Sequence, residues 1–154
     1  MRIALEGVGL AEQTKNRPTS VLFVCAMNAI RSPMAEYLTR DLFGKEIYVQ
    51  SAGIRAGEPS GFTLAAMQDR GISIISHKPT KLDDLADQYF DLIVTLSPEA
   101  HHSALELTRT QAVDVEYWPT EDPSTIAGNR EQVLQGYIKV RDFLEAKIKE
   151  RFSS

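Results

Sequence analysis

The 154-residue sequence contains one cysteine, Cys25, and one tryptophan, Trp118. A lone cysteine excludes a disulfide within the chain and any zinc site built from several thiolates, and it suits a reducing compartment. Histidine is scarce, with three in the chain. His101 and His102 are neighbours on a predicted helix, so their side chains point apart and make no chelate. No metal site and no cofactor is expected. Positive charge is not in excess: 17 Lys and Arg stand against 21 Asp and Glu, a net charge of -4. That balance gives no electrostatic case for nucleic acid or an anionic membrane as partner. An anionic substrate has to meet positive potential that is arranged locally. No apolar run approaches the roughly 20 residues that span a bilayer. The N-terminus lacks the basic-then-apolar order of a secretion signal. A cytoplasmic location is the expectation.

What is present is the ordinary make-up of a globular protein, 43% hydrophobic and 25% charged, at a length that suits one domain. Residues 1–19 read as an N-terminal arm, because the Gly7-x-Gly9 pair has no strand-turn-helix context around it. Residues 20–154 read as the domain. Val21 to Val24 predicts a first strand. Ser32 reads as an N-cap with Pro33 at the first helical position, and Met34, Ala35, Leu38 and Leu42 recur at helical spacing up to Gly44. Ile47 to Ser51 predicts a second strand, and helices are expected over Phe62 to Asp69 and Leu82 to Tyr89, with an apolar piece at Ile72 to Ile75 between them. Leu92 to Leu96 is a continuous apolar run of the kind that parallel sheets bury on both faces. Ser97-Pro98 opens a helix to about Leu107, Ala112 to Trp118 predicts a fourth strand, and a last helix runs from about Arg130 to Phe152. Strands alternating with helices imply right-handed βαβ units and a parallel sheet. The expected fold is a three-layer α/β/α domain whose ligands bind beyond the carboxyl ends of the strands.

The chemistry concentrates at the end of the first strand, in Val24-Cys25-x5-Arg31-Ser32-Pro33. A strand, a tight loop and a helix N-terminus make an anion site, because unpaired backbone N–H groups and the positive end of the helix dipole converge there. A free cysteine is on its own most simply a small buried apolar residue. One placed at such a site is favoured as thiolate, the nucleophilic form. Arg31, six positions on, can grip two phosphate oxygens at once. The stretch reads as a phosphate-binding loop with a nucleophile in its floor.

These residues, with Met34-Ala35-Glu36 after them, resemble the signature of the low-molecular-weight protein tyrosine phosphatase family. The likeness continues through Ser51-Ala52-Gly53, Gly71-Ile72, His77-Lys78, the strand at Leu92 to Leu96, and Asp122-Pro123. It implies a four-stranded parallel sheet with the phosphatase loop between the first strand and first helix, and a cytoplasmic, metal-independent phosphomonoesterase. It also implies roles for particular residues. Cys25 matches the nucleophile, Arg31 the phosphate-binding arginine, and Ala26, Met27, Asn28, Ala29, Ile30, Arg31 and Ser32 the phosphate-binding loop. Ser32 matches a hydroxyl that hydrogen-bonds the thiolate. Ser51 and His77 match supports for Asn28, whose side chain is among the few that tolerate a left-handed backbone. Asp122 matches the general acid, with Glu121 beside it the weaker alternative. The substrate implied is a phosphotyrosine protein or a small phosphomonoester, with phosphate or another oxyanion in the loop.

Four positions depart from the family pattern. Met27 stands where glycine is usual, Ile30 where a second cysteine is usual, and Ser124-Thr125 where aromatic residues often follow Asp-Pro. Trp118-x3-Asp122-Pro123 also resembles the related thioredoxin-linked arsenate reductases, which relay oxidation through further cysteines. One cysteine forbids that relay but allows a single-cysteine arsenate reductase that borrows an external thiol. The remaining alternative is a phosphate-binding module without turnover. Trp118 and Tyr117, at the end of the fourth strand, belong either to the core or to the cleft wall.

Overall fold

The computed structural model of the protein describes residues 17–85 and 88–153, so the arm expected over residues 1–19 lies mostly outside the described residues. Four strands form one sheet: β1 (Ser20–Cys25), β2 (Tyr48–Gly53), β3 (Leu92–Thr95) and β4 (Asp114–Tyr117). Their order is β2-β1-β3-β4 and every neighbouring pair is parallel. Among the described residues the four α-helices are α1 (Arg31–Phe43), α2 (Gly61–Asp69), α3 (Pro98–Leu107) and α4 (Arg130–Phe152).

Successive side chains of a strand point to opposite faces, and β1 is apolar on both. Val21, Phe23 and Cys25 join Met34, Leu38, Leu144, Ile148 and Phe152 in one buried cluster under α1 and α4. Leu22 and Val24 join Ile93, Ala100 and Ala104 in a second cluster under α3. Two cores on two faces make the three layers that the alternating pattern predicts. Each buried Val, Leu, Ile, Phe or Met side chain among these contributes about 1.5–3 kcal/mol of burial. Phe23 packs edge-on against Trp118 and Phe152 at 5.8 and 6.4 Å between ring centroids. Trp118 is therefore core. Tyr117, one residue earlier, is exposed and stacks on His101 at 4.7 Å.

The helix ends follow the sequence where capping chemistry is local. Ser97 accepts from the Ala100 amide at 3.2 Å with Pro98 next, and Asn129 and Gln132 form a reciprocal capping box on α4. One expectation changes. The helix expected over Leu82 to Tyr89 is a 3-10 turn, Leu82–Leu85, followed by irregular backbone at Gln88 and Tyr89. Leu82 and Leu85 both bury, and a spacing of three is what a 3-10 turn places on one side. The apolar piece Ile72 to Ile75 is irregular as well, with Ile74 buried and Ile75 82% exposed. No helix among the described residues is long and apolar enough to cross a membrane.

Candidate active site

β1 ends at Cys25, and residues 26–30 carry the backbone round to α1. The loop is pinned from outside: the Ile54 amide donates to the Cys25 carbonyl at 3.1 Å and the Arg55 amide to the Ala26 carbonyl at 2.8 Å. Gly53 lies so close beneath it that an added Cβ would sit 2.6 Å from the Met27 carbonyl carbon. Glycine is the residue that allows this approach.

Ser32 corrects one expectation. α1 begins at Arg31, its N-cap is Ile30, and no side chain caps it. The first-turn N–H groups thus have no side-chain cap, which leaves them able to receive an anion. The Ser32 hydroxyl instead turns inward, is fully buried, and lies 2.9 Å from Cys25 Sγ. Pro33 needs no partner for its nitrogen in the first turn, so the helix starts well without a serine cap.

Asn28 is the one non-glycine residue with positive φ among the described residues, at 53°. Four hydrogen bonds hold it there. Its Nδ2 donates to Ser32 Oγ and Ser51 Oγ, both at 2.9 Å. Its Oδ1 accepts from the Thr80 amide at 2.8 Å and faces His77 Nε2 at 3.2 Å. Because Oδ1 only accepts, this contact is a hydrogen bond with His77 Nε2 as the donor. The side chain of His77 is 4% exposed, so it is a support inside the protein rather than a solvated loop histidine.

These bonds have a direction. Ser51 Oγ accepts from Asn28 and donates its own proton to the carboxylate of Glu36. Ser32 Oγ also accepts from Asn28, so its proton is available to the sulfur, or to the Ala52 carbonyl at a longer 3.3 Å. Glu36 is therefore the anchor of the network, and the sequence reasoning passed over it. It is 7% exposed, accepts from Arg40 Nη2 at 2.6 Å and stands 3.8 Å from His77 Nδ1. The available signal was its position four residues after Ser32, on the same helix face as a serine assigned to the site.

Arg31 reaches across to the loop after β4. Its Nη1 donates to the Thr120 carbonyl at 3.0 Å, and its Nη2 lies 3.9 Å from Asp122 Oδ2. Asp122 is exposed enough to face solvent and accepts from the Ser124 amide at 2.9 Å and hydroxyl at 2.7 Å. Partial burial pushes the Asp122 carboxyl up, but the two Ser124 hydrogen bonds and the Arg31 charge outweigh it and hold the group below the usual carboxylate range. Cys25, Asn28, Arg31, Ser32, Ser51, His77 and Asp122 are thus gathered at the carboxyl end of the sheet. Ala26, Met27, Ala29 and Ile30 complete the loop. Ile30 packs on the core, while Met27 is exposed.

The profile of the family described as low molecular weight phosphotyrosine protein phosphatase matches residues 20–153. Arsenate reductase 2 of Staphylococcus saprophyticus is 31% identical over 135 residues, which cover 88% of this chain and 97% of that protein. A solved low molecular weight protein tyrosine phosphatase from T. tengcongensis aligns with a TM-score of 0.69 and 26% identity, over 86% of this chain and 96% of its own. A solved arsenate reductase in the phosphate binding state aligns with a TM-score of 0.68 and 26% identity, over 88% of this chain and 97% of its own. With nearly the whole domain matched and the loop assembled as above, the chain belongs to the low molecular weight phosphotyrosine protein phosphatase family.

Proposed function

We propose that the chain is a phosphomonoesterase acting through a phosphocysteine. The Cys25 thiolate attacks phosphorus while the amides of residues 26–32 and the Arg31 guanidinium hold the three outer oxygens. The bond from phosphorus to the ester oxygen breaks as Asp122 gives that oxygen its proton. Asp122, now a carboxylate, takes a proton from water. The water oxygen attacks phosphorus, the sulfur–phosphorus bond breaks, and Cys25 returns as thiolate with inorganic phosphate released. Phosphoryl transfer of this kind rests on positioning and charge, and these side chains supply both. The observation that carries the reading is Asp122 standing 3.9 Å from Arg31, an acid facing the group that grips the phosphate. The substrate is a phosphotyrosine protein or a small phosphomonoester, and the protein works in the cytoplasm.

A second reading is favoured by a specific observation, the likeness to a protein named arsenate reductase at 31% identity. Here Cys25 Sγ would form a bond to arsenic with loss of water. An external small thiol would then attack Sγ, the sulfur–arsenic bond would break with its electron pair going to arsenic, and arsenite and a mixed disulfide would result. The thiol has to be external because Cys25 is the only cysteine in the chain. Parallel assays separate the readings: p-nitrophenyl phosphate hydrolysis by wild type and Cys25→Ser, and arsenate reduction with glutathione. Hydrolysis that depends on Cys25 supports the phosphomonoesterase; turnover of arsenate alone supports the reductase; binding of phosphate with neither reaction leaves a binding module.

A further inference from the structure

Met27 is the one exposed side chain of loop residues 26–32, at 41%. It is not loose. Its Sδ accepts from Arg55 Nε at 3.3 Å, and its methyl lies against Gly57, 3.0 Å from where a Cβ would stand. Arg55 is fixed in turn: Nη1 and Nη2 donate to the two carboxylate oxygens of Glu99 at 2.6 and 3.1 Å. Its backbone amide is tied to Ala26 of the loop. The side chain of Met27 is thereby held against the 55–57 segment at the edge of the loop.

A guanidinium is planar, and its donors lie in its plane. All three nitrogens of Arg55 are engaged at their edges, by Glu99 on two and by Met27 on the third. One N–H on each Nη and the flat face are what remain. A nucleophile in the floor of the loop puts the leaving group at the mouth, opposite the sulfur, beside the exposed loop side chain. A thioether and an arginine face are both surfaces that favour an aromatic ring.

We infer that Met27 and Arg55, with Arg55 held by Glu99, form a rim that receives an aromatic leaving group and sets the preference of the site for aryl over alkyl phosphates. The inference rests on the phosphomonoesterase reading and names its substrate class. The rim takes the place of the aromatic residues that the acid loop lacks at Ser124 and Thr125.

Binding to the Cys25→Ser protein tests this apart from turnover. Isothermal titration with phenyl phosphate, ethyl phosphate and inorganic phosphate gives an aryl-to-alkyl affinity ratio and a control for the cradle. The ratio expected is about fivefold, the size of an exposed ring–cation contact with a thioether beside it. Adding Arg55→Ala or Met27→Ala brings it close to one, and Arg55→Ala leaves inorganic phosphate affinity within about twofold. Arg55→Lys keeps the charge and loses the plane, so it does not restore the ratio. A parent ratio near one, a ratio untouched by both alanine variants, or restoration by lysine overturns the inference. A fivefold ratio that collapses as described, in a protein whose wild type does not hydrolyse phenyl phosphate, upholds the rim and rejects the hydrolase.

Discussion

Cys25 Sγ and Ser32 Oγ lie 2.9 Å apart, and because the serine oxygen already accepts from Asn28 its proton is free to go to the sulfur, with the Ala52 carbonyl the more distant alternative at 3.3 Å. A hydrogen bond to an ionised group is worth about 1.5–3 kcal/mol. Removing this one should therefore lower kcat/KM roughly 10- to 100-fold. Ser32→Ala is expected to show that loss with p-nitrophenyl phosphate, together with slower alkylation of Cys25 by iodoacetamide at neutral pH. Alkylation as fast as in the wild type would contradict the role given to Ser32.

Asp122 has to be protonated to serve as acid, and its carboxyl is held below the usual range in the free protein. The form that can donate is therefore lost as pH rises through that lowered value, and kcat/KM for a poor leaving group falls with it. Ser124→Ala removes the hydroxyl that favours the carboxylate, so this falling limb moves to higher pH. Asp122→Asn removes the limb. It should cost about 100-fold more on phenyl phosphate than on p-nitrophenyl phosphate, whose phenolate leaves without help. Equal losses on both substrates would show that Asp122 is not the acid. For stability the sign is the reverse. A folded-state value below the unfolded one contributes above the unfolded value and is lost as pH falls through the folded one.

Glu36 anchors the support of Asn28 through Ser51, while Arg40 closes on its other oxygen. Glu36→Leu leaves the buried Ser51 hydroxyl without its acceptor, at a cost of about 1–3 kcal/mol, while the exposed Arg40 keeps the Val49 carbonyl. Thermal unfolding should show that cost. Glu36→Gln keeps a carbonyl for Ser51 and removes the charge, so turnover is expected to fall with a smaller loss of stability. A variant with unchanged kcat and an unchanged melting temperature would remove Glu36 from the account.

Ile30 stands where a second thiol would trap oxidised Cys25 as a disulfide, and the chain has no other cysteine. Peroxide should carry Cys25 past the sulfenic acid to forms that thiols do not reverse. Activity recovered by dithiothreitol is expected to decline with time of exposure. Full recovery after long exposure would contradict this.

Most of the fold was legible because its signals are local. The apolar runs of β1 and β3, Ser97-Pro98 before α3 and Asn129 before α4 each depend on a few adjacent residues. The site was legible through one compact motif, Cys25 to Ser32. What the sequence concealed depends on contacts made across the fold. Ser32 before Pro33 has the pattern of a cap, but it lies inside α1, and the meeting of β1 with α1 brings its hydroxyl to the sulfur. Glu36 looks like one more helix residue until β2 brings Ser51 against it. Arg55 and Glu99 are 44 positions apart, so their pairing beside Met27 has no sequence pattern. The 3-10 turn at Leu82–Leu85 misread as a helix because a spacing of three serves both.

The central claim is that phosphoryl transfer passes through Cys25. Rapid-quench kinetics on p-nitrophenyl phosphate, with intact-mass analysis of the quenched protein, tests it most directly. The account predicts a burst of p-nitrophenol approaching one per active site and a phosphoryl group on the peptide that holds Cys25, both absent in Cys25→Ser. Turnover with no phosphorylated Cys25, or hydrolysis that survives Cys25→Ser, would contradict it.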